Sequence, residues 1–220
     1  MQGKVAASIL SADFAYLAEQ VKLVEGQVDL IHVDAMDAHF VPPLSVGPVV
    51  VESLRRVTGL PLHCHLMVER PADLFEDFAK AGADIVTAHM EAVDDPGKTI
   101  RHAEELGMRA GLAVNPATPA EALFPHLEQL DRVIVMTLFK TGWAGQPFNE
   151  ATLPKIEAVR NEIDRQGLEV EVEVDGGINE DSAPRCMAAG ATILAAASSI
   201  FKAPDPGAAA RRLADIARKG

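Results

Sequence analysis

The chain has 220 residues, 48% of them hydrophobic, which is enough for one sizeable core and is the size expected of a single domain spanning residues 1–220. Its 20 Lys and Arg against 32 Asp and Glu leave a formal charge of −12, which argues against a nucleic-acid surface, because phosphate binding needs a clustered basic face. No apolar run approaches the roughly 18 residues that span a bilayer, the N-terminal stretch lacks a basic-then-apolar signal pattern, and two cysteines without CxxC spacing make no disulfide framework, so the expectation is a cytoplasmic protein with no membrane partner.

Apolar runs and helical periods then alternate along the chain. VAASIL (5–10) precedes a helix-like segment at 16–24, LIHVDA (30–35) one at 49–57, LHCHLM (62–67) one at 72–81, and DIVTAH (84–89) one at 98–106. RAGLAV (109–114) is followed by 119–127, RVIVMT (132–137) by 154–166, VEVEVD (170–175) by 181–189, and TILAAA (192–197) by 206–217. Strict alternation predicts a parallel sheet, and eight such units predict closure into a (β/α)8 TIM barrel, with an open doubly wound sheet as the alternative. Gly82 and Gly190, each within Ala-Gly-Ala, sit where left-handed turns would end the preceding helices.

Reactive groups of such barrels lie at the carboxyl ends of the strands, and Ser8, Asp34, His65, His89, Met136, Asp175 and Ser198 all fall there. His32 and Asp34 are two apart on one strand and so share a face. Taken singly, His32, Asp34, His65 and Asp175 could be hydrogen-bonded core histidines and capping aspartates. Together near strand ends they favour one divalent metal ion, with Zn, Fe, Mn and Co all tolerating such ligands. A metal plus two carboxylates suits proton transfer next to a carbonyl, with Asp34 and Asp175 acting from opposite flanks as base and acid. Cys64, between His63 and His65, would face away from the site, and both Cys64 and Cys186 read as buried thiols. Met36, Met67 and Met136 either fill the core or floor the site against water.

Glycines after strands six and seven, Gly142 and Gly145 in KTGWAGQPF and Gly176 and Gly177 in VDGGIN, together with Ala197 and Ser198 after strand eight, occupy the usual phosphate position of these barrels. Backbone N–H groups could hold the anion there without a lysine. Ser198 could equally serve as a helix N-cap.

The segments SILSADF, HVDAMDAHFVPPLSVGP, HCHLMVERP, GLAVNPATP, GWAGQPF and EVDGGIN together resemble the ribulose-phosphate 3-epimerase family across nearly the whole chain. The resemblance implies a TIM barrel of the ribulose-phosphate-binding type that interconverts D-ribulose 5-phosphate and D-xylulose 5-phosphate at C3 with a bound divalent metal. It further implies His32, Asp34, His65 and Asp175 as ligands, Asp34 as proton acceptor and Asp175 as donor. Ser8 and His65 would contact the sugar, and Gly142, Trp143, Ala144, Gly145, Gly176, Gly177, Ala197 and Ser198 the phosphate end. The expected partner is a phosphorylated ketose, with homo-oligomer formation left open.

The chain departs from the family pattern in three places. Ala38 and Pro43 replace a usual glycine and asparagine, and Ala197 replaces a glycine. The loop FKTGWAGQ is one residue longer than the usual one, with Lys140 and Thr141 where Asn-Pro is common. GWAGQPF also resembles allulose-6-phosphate 3-epimerases, an alternative activity on a longer sugar. A related decarboxylase and aldolase class carries a D-x-K-x-x-D lysine that D-A-M-D here lacks, and a non-catalytic sugar-phosphate-binding barrel is a further alternative.

Overall fold

The computed structural model describes residues 2–219. Strands β1 (Lys4–Ser8), β2 (Leu30–Met36), β3 (Leu62–Met67), β4 (Ile85–His89), β5 (Arg109–Val114), β6 (Arg132–Met136), β7 (Glu171–Asp175) and β8 (Ile193–Ala196) pair in chain order, all parallel. β1 also pairs with β8, from Lys4 opposite Ile193 to Ala7 opposite Ala196, so the sheet closes into a (β/α)8 TIM barrel and is not an open doubly wound sheet. The helices are α1 (Leu17–Val24), α2 (Pro48–Arg55), α3 (Phe75–Ala81), α4 (Pro96–Glu105), α5 (Leu153–Gln166), α6 (Ala183–Ala188), α7 (Ser198–Phe201) and α8 (Pro206–Ala217). No helix among the described residues is long and apolar enough to cross a membrane.

Local chemistry accounts for the helices. In α3, Phe75, Phe78 and Ala81 recur on one face and are buried, Glu76 and Asp77 complement the N-terminal dipole, and Gly82 at φ 94° closes the C-terminus by donating to Ala79 and Phe78 carbonyls. In α8 the Asp205 side chain accepts from Ala208 N–H and Pro206 fills the first turn, while Ala209, Ala210, Leu213, Ala214 and Ala217 form the buried stripe.

Three expectations are corrected. The first strand stops at Ser8, because residues Ile9–Ser11 wind into a 3-10 turn begun by the Ser8 hydroxyl accepting from Leu10 N–H. The fifth helix, expected at 119–127, is two 3-10 turns, Ala120–Ala122 and Phe124–Gln129. Pro125 supplies no N–H for a bond back to Glu121, so a continuous α-helical ladder cannot run through it. The short helix α7, between β8 and α8, has Ala197 at its N-cap with no side-chain cap bond, so Ser198 is the first helical residue and not the cap.

The period-two pleat separates two interiors. Outward residues such as Ile31, Val33, Ala35, Leu62, Cys64 and Leu66 join the main core beneath the helices. Each buried Val, Leu, Ile or Phe there contributes about 1.5–3 kcal/mol. Inward, Ala6, Leu30, Ile85, Ile193 and Ala195 make a separate apolar cluster. The remaining inward residues of β2 and β3 are His32, Asp34 and Met36, and His63, His65 and Met67, paired in register across the two strands.

The loop after β2 contains Ala38 at φ 61°, the one non-glycine residue among those described with a left-handed backbone. Asp37 holds it there: one carboxylate oxygen accepts from His39 and Phe40 N–H and the other from Glu69 N–H, while Ala38 N–H donates to Pro43. A left-handed alanine is strained by about 1–2 kcal/mol, more than glycine loses through unfolded-state entropy. Ala38→Gly is therefore expected to raise unfolding free energy by roughly 1 kcal/mol at unchanged m-value in urea titrations.

Candidate active site

The barrel interior holds a stack of buried ionisable groups built on Glu173. Its carboxylate, fully buried on β7, faces Arg132 at 3.0 Å and His32 Nδ1 at 2.7 Å. Burial resists ionisation of Glu173, but the hydrogen bond and charge of His32 outweigh it and hold it well below the usual carboxylate range. An ionised Glu173 can only accept, so the proton on His32 Nδ1 is donated to it. His63 Nε2 reaches Thr87 Oγ1 at 2.8 Å. His63 Nδ1 lies 3.1 Å from Glu173 Oε2 but off the hydrogen-bonding direction and is left unpartnered. Burial pushes His63 down to about 3, so it is neutral. Gly111 makes room for this layer: a Cβ there would lie 2.2 Å from Thr87 Oγ1.

Above that layer the four expected ligands converge. His32, Asp34, His65 and Asp175 offer ligand atoms that all lie within 4.8 Å of one another. His32 Nε2 lies 3.0 Å and His65 Nδ1 3.1 Å from Asp34 Oδ1, and His65 Nδ1 is 3.5 Å from Asp175 Oδ2. Nitrogen lone pairs aimed at carboxylate oxygens repel unless positive charge lies between them. Burial alone would lower His32 and His65, but the adjacent carboxylates win and raise both above the ordinary histidine value. Asp34 is likewise held below the usual carboxylate range: burial opposes this, and His32 and His65 overcome it. Two imidazole nitrogens and two carboxylates, whose charges balance a dication, match the ligand types of a divalent first-row metal, which binds such atoms at about 2.0–2.2 Å. The residues fit a metal ion.

Both aspartates line one cavity at the carboxyl end of the barrel. Ser8 shares that wall and donates to Asp34 Oδ2 at 2.6 Å. Met36, Met67 and Met136 line it as well, as do Gly142, Trp143, Ala144, Gly145, Gly176, Gly177, Ala197 and Ser198. His65, expected to touch the sugar as well as a cation, is fully buried behind the aspartates and is absent from the wall; its reach into the cavity runs through Asp34 and Asp175. Leu10, Leu138, Ile178 and Ala195 complete the lining and carry no signal in the sequence beyond being apolar near strand ends. Glu173, Arg132, His63 and Glu91 were also missed. A charged residue at every second position of EVEVD was the available sign for Glu173.

The loops fit closely around this cavity. Gly177, at φ 68°, lets the loop after β7 pass the loop after β6, where a Cβ would lie 2.4 Å from Phe148 N. Gln146 ties the loop after β6 to itself, accepting from Lys140 N–H and donating to the carbonyls of Lys140 and Trp143. Thr141 fastens it to the next loop through Asn115 Oδ1 at 2.5 Å.

The family model for the ribulose-phosphate 3-epimerase family matches residues 4–201. Among curated relatives, ribulose-phosphate 3-epimerase of Bacillus subtilis (strain 168) is 46% identical over 204 residues, covering 92% of this chain and 94% of that protein. The chain belongs to the ribulose-phosphate 3-epimerase family. It is thus an isomerase of the carbohydrate-epimerase class. Ribulose-phosphate 3-epimerase of Escherichia coli (strain K12) is 42% identical, with 91% of this chain and 90% of that protein covered. A solved 3-hexulose-6-phosphate synthase from Salmonella typhimurium superposes with a TM-score of 0.77 over 98% of this chain and 99% of that one, at 20% identity, and shares the fold.

In this epimerase-family barrel, Glu173 neutralises Arg132 and orients His32. Replacing it by Gln leaves a buried guanidinium balanced only by Asp131, 3.0 Å from Arg132 Nε. Glu173→Gln is expected to lose about 3 kcal/mol of stability, measured by denaturant titration in excess chelator so that any bound metal does not contribute.

Proposed function

We propose that the chain is a metal-dependent ketose-phosphate 3-epimerase that interconverts D-ribulose 5-phosphate and D-xylulose 5-phosphate. The observation that carries this reading is that Asp34 and Asp175, on strands β2 and β7, reach one cavity beside two histidines whose free nitrogens face them. Names of the relatives support the substrate. The phosphate lies against the backbone at Gly176, Gly177, Ala197 and Ser198, where the first N–H groups of α7 have no partner within the helix.

Asp34, ionised, takes the C3 proton of the ketose. The C–H bonding pair becomes the C2–C3 double bond and the carbonyl pair moves to O2, giving an enediolate. Asp175, protonated, returns a proton to C3 from the opposite flank, and the configuration inverts. Ser8 holds the base through its hydrogen bond to Asp34 Oδ2, and the three methionines exclude water beside the carbanionic carbon. A divalent cation held by His32, Asp34, His65 and Asp175 supplies positive charge that stabilises the enediolate oxygens.

A second reading, action on allulose 6-phosphate, is favoured by one feature: the loop bearing GWAGQPF, whose Trp143 and Ala144 line the cavity. Comparing kcat/KM for the two ketose phosphates separates them, and the pentulose phosphate is expected to be the better substrate.

Turnover of ribulose 5-phosphate in D2O should place deuterium at C3 of both epimers. Chelation should abolish turnover and added Mn or Zn restore it. Asp34→Asn and Asp175→Asn should each lower kcat by about 10²–10⁴. Epimerisation without deuterium uptake, or full activity in either variant, would remove the proton-transfer mechanism.

A further inference from the structure

Beyond the ligands, a chain of hydrogen bonds leads from His65 outward. His65 Nε2 faces His89 Nε2 at 2.9 Å, and His89 Nδ1 faces Glu91 Oε2 at 3.1 Å. The two rings stack at 21° with centroids 5.0 Å apart, and Phe40 packs on His89 at 4.9 Å, so neither ring is free to turn. Glu91 Oε1 accepts from Asn115 N–H at 2.9 Å and from the Thr118 hydroxyl. Lys155 in turn fastens that loop by donating to the carbonyls of Asn115, Pro116 and Thr118.

Two nitrogens face each other between His65 and His89, and between two neutral rings such a contact holds one proton. It has two polarities. In one, His65 donates from Nε2, and its Nδ1 lone pair points at the ligand cluster. In the other, His89 donates from Nε2, and His65 carries its proton on Nδ1, where it cannot bind a cation. Nothing at the inner end selects the first polarity, because Asp34 Oδ1 and Asp175 Oδ2 would both accept from Nδ1–H. The outer end does select it. An ionised Glu91 can only accept, so His89 must carry its proton on Nδ1, which leaves His89 Nε2 bare and obliges His65 to donate from Nε2.

We infer that Glu91 is a positioning residue which, acting through His89, fixes His65 in its ligand-competent tautomer. This rests on the reading of His32, Asp34, His65 and Asp175 as a metal site. Glu91 is kept ionised by its surroundings: burial works against it, but bonds from His89, Thr118 and Asn115 prevail and hold it at about 2. His89 itself is fully buried, held between the His65 and Phe40 rings. The arrangement is of the kind in which the far ring nitrogen of a metal-binding histidine is oriented by a carboxylate, here with a second imidazole interposed.

Glu91→Gln keeps an oxygen for Asn115 and Thr118 while its amide can donate to His89 Nδ1, which permits the opposite polarity. The test uses the full chain with Zn, in competition with a chelator of known affinity, and reads histidine ¹⁵N shifts alongside. Wild type should bind one Zn per chain and carry the His89 proton on Nδ1. Glu91→Gln should bind Zn about 10–100-fold more weakly and show a fraction of His89 protonated on Nε2, with metal-free melting unchanged. Glu69→Gln, which removes a nearby carboxylate outside the chain of bonds, should bind as wild type. Equal Zn affinity in Glu91→Gln and wild type would overturn the inference and leave the metal site standing. If the variant does not fold, the wild-type spectrum decides, since a His89 proton on Nε2 overturns it. Failure of wild type to bind Zn would overturn the metal reading and this inference together.

Discussion

Pairing of imidazoles with carboxylates inside the barrel is the constraint to which the rest of the structure conforms. A charge buried without a partner costs several kcal/mol, and here Asp34, Glu173, Arg132 and four histidines lie almost wholly out of solvent. Each is tolerated because strand register brings an opposite partner to it. Asp34 lies opposite His65 in the β2–β3 ladder, and β7, two strands away from β1, brings Glu173 against His32 across the interior. A slip of one residue in β2 would turn His32 and Asp34 into the apolar shell beneath the helices, so register is under strong electrostatic as well as hydrophobic control.

The same pairing divides the interior into levels with different requirements. An apolar cluster of Ala6, Leu30, Ile85, Ile193 and Ala195 needs nothing but close packing. The level of Glu173, Arg132, His32 and His63 is nearly neutral by itself, since glutamate and arginine cancel. The next level is not. Two carboxyl groups face two ring nitrogens, an arrangement that demands positive charges. Protons on His32 and His65 can supply them, which is why both histidines are raised above their ordinary value, and one dication supplies the same charge. Protons and metal therefore compete for a site whose electrostatics are set by the level below it.

Much of this was legible in the sequence because period and chemistry coincide. Eight apolar runs separated by helical periods led to the closed barrel, and H-V-D two apart on one run put His32 and Asp34 on a common face. Strand ends then gathered Ser8, His65 and Asp175, and glycines in the loops after β6 and β7 marked the far end of the cavity. What could not be read are relations between distant segments. Glu171 and Glu173 look alike in EVEVD, yet one meets Lys4 and Thr192 near the start of the strand while the other meets Arg132 and His32 inside. The helical period at 119–127 was genuine in its apolar spacing but was broken by Pro125, a local veto on a regional pattern. Ala38 is the reverse case: its departure from glycine was visible, but that its backbone stays left-handed depends on Asp37 binding three N–H groups, one of them from the loop after β3.

Thr141 and Asn115 extend the argument from the ligands to the loops. Asn115 uses its backbone N–H to hold Glu91 and its side chain to hold Thr141, so one residue joins the outer end of the His65–His89–Glu91 chain to the loop after β6. That loop carries Gly142, Trp143, Ala144 and Gly145 into the cavity wall. Displacing it would pull on the Asn115 segment, which Lys155 anchors from α5 through three carbonyls. Loop and ligand are consequently not independent parts: Thr141 hydrogen-bonds to the very segment that orients Glu91. The cavity's outer edge is in this way tied to the chemistry at its base, and a change of loop sequence has to respect Asn115 before it can respect the substrate.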